Sequence, residues 1–427
     1  MKNELTKLIK EDMKPALGVT EPGAIAFAVA TAKTYVAGEV EKVTVALNSG
    51  MYKNAFTCGI PNSKNYGNLY AAALGVVAAK PELGLESLAD ITPEDDKLAQ
   101  EMVAAGKITA YMDHVSSRIT IDVTVETKQD TCTVSIRDSH THITKIEKNG
   151  AELYTDDGIN VCESTEEMVP TIHKYKLKEL LNYVKDASEE ELAFISEAFK
   201  MNLELLEEGL SSGRAVIAEE LLMENGGERI SKDVKKTAQL LCNGAIEARV
   251  LGLAKPAMSI TGSGAHGIIA TMPLYAYYKI NEDTVEKVEL LRATALSYLI
   301  TMYIKEYSGK LSAFCGCGIA AGTGMACGLA YLQEAQCEQI EMVIQNMASG
   351  LTGMICDGGN HGCAMKGIVA VDAAFRSVNL ALRGVCIEKI HGINGKTPED
   401  TMRHMGLIAS PGMVQTEEII VDIMEQK

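Results

Sequence analysis

The chain concentrates its cysteines in one short region. Six of the eleven fall between positions 315 and 363, in Cys315-Gly-Cys317, Cys327, Cys337 and Cys356-Asp-Gly-Gly-Asn-His-Gly-Cys363. Thiolates gathered near glycines and a histidine are typical ligands of soft metals or iron–sulfur clusters. The charged first residues lack the apolar region of a signal peptide, which predicts a cytoplasmic protein with reduced thiols. We therefore expect a metal or cluster site rather than a disulfide framework.

Composition narrows the fold and the partners. The 427 residues include 47% hydrophobic residues, only 5% aromatic residues and no tryptophan, which favours closely packed helices in two or three structural units. A net charge of −17 argues against a nucleic-acid surface. The sequence also lacks an apolar stretch of about 20 residues, so no membrane partner is expected. The oligomeric state is left open, with a homodimer as one candidate.

The N-terminal third, residues 1–160, is predicted to be an α+β portion. Helical periodicity covers 3–12 and 21–37, a strand covers 40–47, and a polar loop covers 48–54. Between about 105 and 155 the apolar residues recur at every second position, and Asn149-Gly150 is a strong hairpin signal. This region is expected to be a small antiparallel β unit inserted among helices.

Residues 161–427 are predicted to form an all-helical catalytic domain, so the fold class is mainly α with an α+β portion. Glycine-rich joints separate the helical segments, including 259–267 and 356–362. The predicted helices are 189–210, 214–223, 232–253, 284–307, 319–333, 338–351, 368–382 and 416–424.

Three thiolates suffice to hold a [4Fe–4S] cluster whose fourth iron stays open to substrate. Such an iron is a Lewis acid that binds a carboxylate and polarises a β-hydroxyl or β-thiol leaving group, which is elimination chemistry. The spacing Cys315…Cys356…Cys363 lacks the Cys-x₂-Cys-x₂-Cys run of electron-carrying ferredoxins. A redox relay is therefore the weaker interpretation.

Several motifs together resemble the iron–sulfur-dependent L-serine dehydratases (alpha domain) and, more closely, the single-chain L-cysteine desulfidases. The similarity extends over nearly the whole chain. The motifs are Lys14-Pro-Ala-Leu-Gly-Val-Thr-Glu-Pro22, Gly50-Met-Tyr-Lys-Asn54, Gly59-Ile-Pro61, Thr261-Gly-Ser-Gly-Ala-His-Gly267, Cys315-Gly-Cys-Gly-Ile-Ala-Ala321, Gly353-Met-Ile-Cys-Asp-Gly358, Cys363-Ala-Met-Lys366 and Ser410-Pro-Gly-Met413.

The resemblance implies a [4Fe–4S] cluster on Cys315 (or Cys317), Cys356 and Cys363. It implies an oxygen-sensitive lyase of amino-acid catabolism that removes the Cα proton and the β-substituent of a small L-amino acid, giving a 2-oxo acid and ammonia. Pyridoxal phosphate is not expected, because the iron does the electrophilic work. One position departs from the desulfidase pattern: the motif Gly-Cys-Thr-Glu-Pro has Val19 in place of its cysteine. Because valine neither ligates nor ionises, this chain uses another group or prefers another substrate.

Three residues are candidates for proton transfer. His266 lies in a glycine-rich turn and could orient a carboxylate or carry a proton, although a loop histidine bonded to a carbonyl is an equal alternative. Lys366 would serve as the α-proton base if burial depressed its pKa. Glu21 lies in a Thr-Glu-Pro helix entry, which helix capping explains as well as catalysis does.

Four residues are candidates for substrate binding. Ser263 and Gly264 would allow a ligand to approach the backbone of the glycine-rich turn. Lys53 and Asn54 offer a cation and an amide for the carboxylate of an amino acid.

Other interpretations of the thiols remain. One is a structural zinc site formed by Cys315, Cys317, Cys356 and Cys363. Another is a catalytically silent thiol-metal protein, and a third is a cluster-free ligand-binding protein whose thiols are core residues. His140 and His142 alternate on a predicted strand and need no function. The remaining cysteines are predicted to be packing residues: Cys58, Cys132, Cys162, Cys242, Cys327, Cys337 and Cys386.

Overall fold

The computed structural model describes residues 2–156 and 169–427. These residues form seventeen α-helices and eight β-strands, and buried side chains from both parts of the chain join one continuous core. The predicted class, mainly α with an α+β portion, is confirmed. The predicted domain boundary at residue 160 and the packing role of Cys162 lie outside the described residues. Across the described ranges, no helix combines the length and the apolarity needed to cross a membrane.

The N-terminal part alternates helices and strands. Its second helix is rich in alanine and is buried on nearly every face, so it packs closely against the sheet and its neighbouring helix. The elements are α1 (Lys2–Asp12), β1 (Lys14–Leu17), α2 (Thr20–Thr34), β2 (Val40–Asn48), α3 (Ser49–Ala55), α4 (Asn68–Val77), α5 (Pro93–Ala104), β3 (Ile108–His114), β4 (Thr120–Thr127), β5 (Thr131–Arg137), β6 (Ile143–Lys148) and β7 (Ala151–Thr155).

The main sheet has six strands in the order β3-β2-β4-β5-β6-β7. Its β2 strand runs parallel to β3 and antiparallel to β4, with Val45 opposite both Ala110 and Val123. The sheet is therefore mixed and includes a strand from outside the predicted 105–155 unit. Local alternation does not reveal such a partner, because parallel strands pair across a long crossover.

The C-terminal part is almost entirely helical. Two of its central helices, α12 and α13, pack so closely that a Cβ on Gly324 would lie 2.3 Å from the carbonyl oxygen of Ser297. Glycine at position 324 permits this contact. The elements are α6 (Leu177–Asp186), α7 (Glu189–Leu192), α8 (Ser196–Ser211), α9 (Val216–Glu224), α10 (Val234–Val250), β8 (Pro256–Ser259), α11 (Gly264–Ile280), α12 (Lys287–Ser308), α13 (Gly322–Leu332), α14 (Cys337–Leu351), α15 (Gly362–Ala381), α16 (Pro398–Ala409) and α17 (Val414–Glu425).

A second, two-stranded sheet joins the two parts of the chain. Strands β1 and β8 pair antiparallel, with Lys14 opposite Ser259 and Leu17 opposite Pro256. The start of α2 follows β1, and the start of α11 follows β8. This pairing therefore brings the Thr-Glu-Pro motif and the 259–267 motif to the same region of the molecule.

Candidate active site

Backbone hydrogen bonds place two of the predicted cluster ligands side by side. The amide of Cys315 donates to the carbonyl of Met354 over 3.0 Å, and the amide of Cys356 donates to the carbonyl of Ala313 over 2.6 Å. These bonds form a short antiparallel bridge between Phe314 and Ile355. The two cysteine motifs, distant in sequence, therefore meet in space.

Cys363 lies in the first turn of α15, after a tight turn that starts at Cys356. Gly358 in that turn has φ of +100°, and a Cβ there would lie 2.5 Å from the carbonyl oxygen of Lys53. Only glycine accepts this conformation and this contact without strain. The Cys363 thiol lies 3.5 Å from the Gly358 carbonyl oxygen, so the turn folds the chain back toward Cys356.

Cys315 and Cys363 are buried, Cys356 is half-buried, and the three thiols influence one another electrostatically. Burial raises the pKa of Cys356, and it raises the pKa of Cys363 to about 11, with Cys315 adding to both effects. A hydrogen bond with Cys317, together with burial, raises the pKa of Cys315. Loading with metal must therefore displace thiol protons.

The choice between Cys315 and Cys317 stays open at the level of geometry. Their sulfur atoms lie 3.3 Å apart, and Cys317 begins a π-helical turn that runs from Cys317 to Ala321 ahead of α13. Both thiols are therefore close to the same point.

Three cysteines of this region, Cys315, Cys356 and Cys363, are the candidate ligands of a cluster. In the part of the chain that the structure describes, no three His, Cys, Asp or Glu side chains form a group that could hold a metal ion. A structural zinc needs four ligands that converge on one point at about 2.0–2.3 Å. A [4Fe–4S] cluster whose fourth iron is left to the substrate needs three thiolates, and Cys315, Cys356 and Cys363 are three thiols in one region.

Glu21, at the start of α2, and Asn54, at the end of α3, connect these helices to the thiols. Asn54 donates from Nδ2 to Oε1 of Glu21 over 2.9 Å, and its Oδ1 lies 3.9 Å from the sulfur of Cys356. Burial opposes ionisation of Glu21, but His140, Asn54 and Arg249 together lower its pKa to about 2. Glu21 is therefore a buried anion beside the cysteine region.

The prediction that His140 and His142 lie on a strand is wrong, because both residues lie in the turn between β5 and β6. The Nε2 of His140 is 3.8 Å from Oε1 of Glu21. The sequence signal was the polar run Ser139-His-Thr-His142, which interrupts the alternation of the sheet. His142, in contrast, pairs with Asp156 at 2.7 Å, away from this contact.

His266 lies on the first turn of α11, not in a loop as predicted. Its Nδ1 is 2.6 Å from the hydroxyl of Thr261, and its Nε2 would be 2.6 Å from a Cβ placed on Gly316, between the two cysteines of the first motif. Burial, followed by the charges of Lys305 and Arg249, holds the pKa of His266 well below its ordinary value. The imidazole is therefore neutral and next to the cysteine region.

A strained residue helps to hold His266. Thr261 has φ of +50°, an uncommon conformation for a β-branched residue. Its amide donates to the carboxylate of Asp12, and its side chain contacts His266. Backbone strain of this kind often marks a functional position.

The two predicted lysines both form ion pairs. Lys53 is fully buried in α3, not in a loop, and its Nζ contacts Glu417 at 2.7 Å and the carbonyl of Ser312 at 2.9 Å. Lys366 forms an ion pair with Asp357. Burial alone would lower the pKa of Lys366, but this pair and the nearby thiols raise it instead. The depressed pKa required of a lysine base is therefore not found at Lys366.

Lys305 is a further cation of this region that the sequence did not reveal. It lies near the end of α12, is buried, and donates to the carbonyl of Gly309 over 2.8 Å. Burial lowers its pKa to about 8, although the thiols of Cys356, Cys317 and Cys315 oppose that shift. A lysine near the end of a helix usually has a solvated side chain, so the sequence of α12 did not indicate that Lys305 is buried.

Val19 lies beside the turn between Cys356 and Cys363. The residue is buried, and its Cγ1 would be 3.0 Å from a Cβ on Gly359, in the turn between Cys356 and Cys363. A side chain at position 19 therefore reaches the chain segment that carries two of the predicted ligands.

The remaining predicted residues start α11. Ser263 is the N-cap residue, and its side chain makes no capping hydrogen bond. Gly264 is buried, and a Cβ there would lie 2.7 Å from Nε of Arg249. His361, a further histidine near Cys363, is exposed and lies 3.9 Å from Glu247.

Comparison with known proteins places the chain in a family. The family model for the serine dehydratase alpha chain matches residues 82–422. A UPF0597 protein of Clostridium botulinum (strain Langeland) is 40% identical over 426 residues, covering 99% of this chain and 98% of its own. A UPF0597 protein of Alkaliphilus oremlandii is 34% identical, covering 100% of this chain and 98% of its own. The chain belongs to the serine dehydratase alpha chain family.

Proposed function

We propose that the protein is a [4Fe–4S]-dependent lyase that eliminates the β-substituent of a small L-amino acid. The observation that carries the proposal is the meeting of the thiols of Cys315, Cys356 and Cys363 beside Asn54 and His266. Membership of the serine dehydratase alpha chain family supports a lyase.

The cysteines would hold the cluster, which supplies a Lewis acid that draws electrons from the β-substituent. Lys305 and Lys366 would balance the negative charge of the thiolates from within the protein. Lys305 is buried next to them, and Lys366 remains protonated because of Asp357.

His266 is the proposed acceptor of the Cα proton. Its Nδ1 is engaged by Thr261, so Nε2 faces Gly316 and the cysteine region, and the neutral imidazole has a free electron pair. Glu21 would stay ionised and would orient Asn54 rather than exchange protons.

Ser263, Gly264 and Asn54 would fix the polar atoms of the substrate. Lys53 is proposed to support α3 and α17 instead of binding substrate, because Glu417 already neutralises it. Loss of the Cα proton and of the β-hydroxyl or β-thiol, as water or sulfide, leaves an enamine. The enamine tautomerises and hydrolyses to a 2-oxo acid and ammonia.

Val19 bears on the choice of substrate and on a second candidate function. Without an ionisable group at this position, we propose that the enzyme is slow with L-cysteine or prefers another β-substituted amino acid such as L-serine. The same valine favours, as the alternative, a catalytically silent thiol-metal protein, which would bind metal without turnover.

The proposal is tested by anaerobic reconstitution and assay of 2-oxo acid and ammonia from L-serine and L-cysteine. The parent and Cys327→Ser should both turn over one of these substrates, because Cys327 is a buried packing residue in α13. Cys363→Ser should be inactive with unchanged helical content. Metal-loaded parent without turnover would favour the silent alternative.

A further inference from the structure

Arg249 is a buried cation that forms no ion pair within the described residues. It lies in the last turn of α10 and is 4% exposed. Its buried Nε–H donates to no acceptor among the described residues, and no carboxylate among them forms an ion pair with Arg249. Because burying an unpaired charge is costly, such an arginine is expected to bind an anion that the protein itself does not supply.

The guanidinium faces the start of α11. A Cβ on Gly264 would lie 2.7 Å from Nε and 3.0 Å from Cδ of Arg249. The Arg249 side chain therefore packs directly against the backbone at the start of α11, and only glycine fits at this position. Arg249 is also close enough to Glu21 and His266 to influence the ionisation of both.

The same helix start offers unpaired backbone donors. Helix α11 has 17 residues, and its N-cap residue Ser263 forms no side-chain cap. Within the described chain, the first backbone amide of α11 to receive a main-chain partner is that of Gly267, which donates to Ser263 over 3.2 Å. Free amides at a helix N-terminus attract anions, and a guanidinium adds a bidentate donor for a carboxylate.

We propose that Arg249, with the N-terminus of α11, binds the carboxylate of the substrate. The identity of the ligand as an amino acid rests on the proposed function. Charge distribution agrees with that class: the region contains a buried anion, Glu21, as well as the buried cation, Arg249, so it matches a zwitterion. Arg249 is thus a specificity-determining residue. It lies outside the quoted sequence motifs, so the sequence did not indicate this role.

Binding of a non-reactive ligand tests the inference. The full-length protein, prepared anaerobically, is titrated with L-alanine, which has the amino and carboxylate groups but no leaving group, and with L-alaninamide, which lacks the negative charge. Dissociation constants come from ligand-observed NMR. The parent should bind L-alanine at least about 30-fold more tightly than the amide, because the amide leaves the buried guanidinium unpaired.

Variants then assign that discrimination to one side chain. Arg249→Gln should bind L-alanine at least about 30-fold more weakly than the parent and should no longer distinguish it from the amide. Arg249→Lys, which keeps the charge but loses the fork of donors, should discriminate partly. The control Arg383→Gln replaces an exposed arginine outside the sequence motifs, and its binding of both ligands should match that of the parent. Helical content and unfolding temperature are recorded for each variant.

The outcomes separate this inference from the lyase proposal. Equal binding of L-alanine and L-alaninamide by the parent, or no binding of L-alanine, would overturn the role of Arg249 without need of any variant. Undiminished discrimination in Arg249→Gln would also overturn it, even if the parent eliminates L-serine. Discrimination that depends on Arg249 in a protein without lyase activity would uphold the carboxylate site and reject the lyase.

Discussion

The side-chain amide of Asn54 donates a hydrogen bond to the carboxylate of Glu21 over 2.9 Å. The contact joins the start of α2 to α3, and the other end of the same amide faces the sulfur of Cys356 at 3.9 Å. One side chain therefore connects a buried anion to the cysteine region. A change in the charge of Glu21 is expected to affect both the stability of the fold and the geometry of the site.

Replacement of Glu21 by glutamine should alter acid stability. The pKa of Glu21 is about 2 in the folded protein, against an ordinary value of 4.5 for a glutamate in the unfolded chain. The contribution of Glu21 to stability is therefore present above about pH 4.5 and is lost as pH falls toward 2. The reason is that only the unfolded chain takes up this proton in that interval. The unfolding temperature of the parent should therefore fall more steeply with acid than that of Glu21→Gln.

The control for this comparison is Glu220→Gln, at an exposed position on α9. Its pH profile should follow that of the parent. Identical acid slopes for the parent and for Glu21→Gln, measured by thermal unfolding from pH 6 downward, would show that Glu21 is not a strongly ionised buried group.

The buried ion pair of Lys53 and Glu417 should behave as a structural unit. Lys53→Met leaves the Glu417 carboxylate buried without its cation and should lower the free energy of unfolding by about 3–5 kcal/mol in urea titrations. The double variant Lys53→Met/Glu417→Leu removes both charges and should recover most of that loss. A double variant whose loss of unfolding free energy equals the sum of the losses in Lys53→Met and Glu417→Leu would contradict this expectation. A stable Lys53→Met with a raised KM would instead restore the substrate-binding role of Lys53.

Substitutions at the first motif should distinguish its two thiols. We predict that Cys315→Ser loses iron, whereas Cys317→Ser retains most of it. The reason is that the spacing from Cys315 to Cys356 is closer to that of the serine dehydratases than the spacing from Cys317. The two sulfur atoms lie 3.3 Å apart, so both side chains reach the same point. A difference in iron content between the two variants would therefore reflect which thiol binds iron and not which thiol is near the site. Iron content after anaerobic reconstitution is the measurement, and equal loss in both variants would contradict the assignment.

A thiol at position 19 should improve turnover of L-cysteine. Val19→Cys replaces one buried side chain by another of similar size beside Gly359, so the packing cost should be small. We expect faster sulfide release from L-cysteine than in the parent under anaerobic conditions. Rapid release by the parent, unchanged by the substitution, would mean that the mechanism does not use this position.

Elements with a regular local pattern were predictable from the sequence. Helices α1 and α2, the strands between 108 and 155, and most helices after 189 lie close to their predicted bounds, because periodicity reports which face of an element is buried. Helix α3 was missed because 48–54 has the composition of a turn, and α11 was missed because it starts within the glycine-rich segment 259–267. In both cases tertiary packing outweighs local propensity.

The sequence indicated the candidate cysteines and the charged residues Glu21, Lys53 and Lys366, but it did not indicate Lys305 or Arg249. Cys356 and Cys363 are marked by spacing and by glycines, whereas Lys305 and Arg249 lie within ordinary helical segments. Their burial depends on contacts between distant elements, and a basic residue in a helix is usually solvated. The contact of His140 with Glu21 is likewise a tertiary contact between the sheet and α2.

Metal analysis of the anaerobically reconstituted parent and of Cys356→Ser tests the central claim most directly. The account predicts about four irons and about four sulfides per parent chain, together with formation of 2-oxo acid from L-serine or L-cysteine. It predicts loss of all three in Cys356→Ser, with helical content retained. A Cys356→Ser variant that keeps both the iron–sulfur content and the activity of the parent would contradict it.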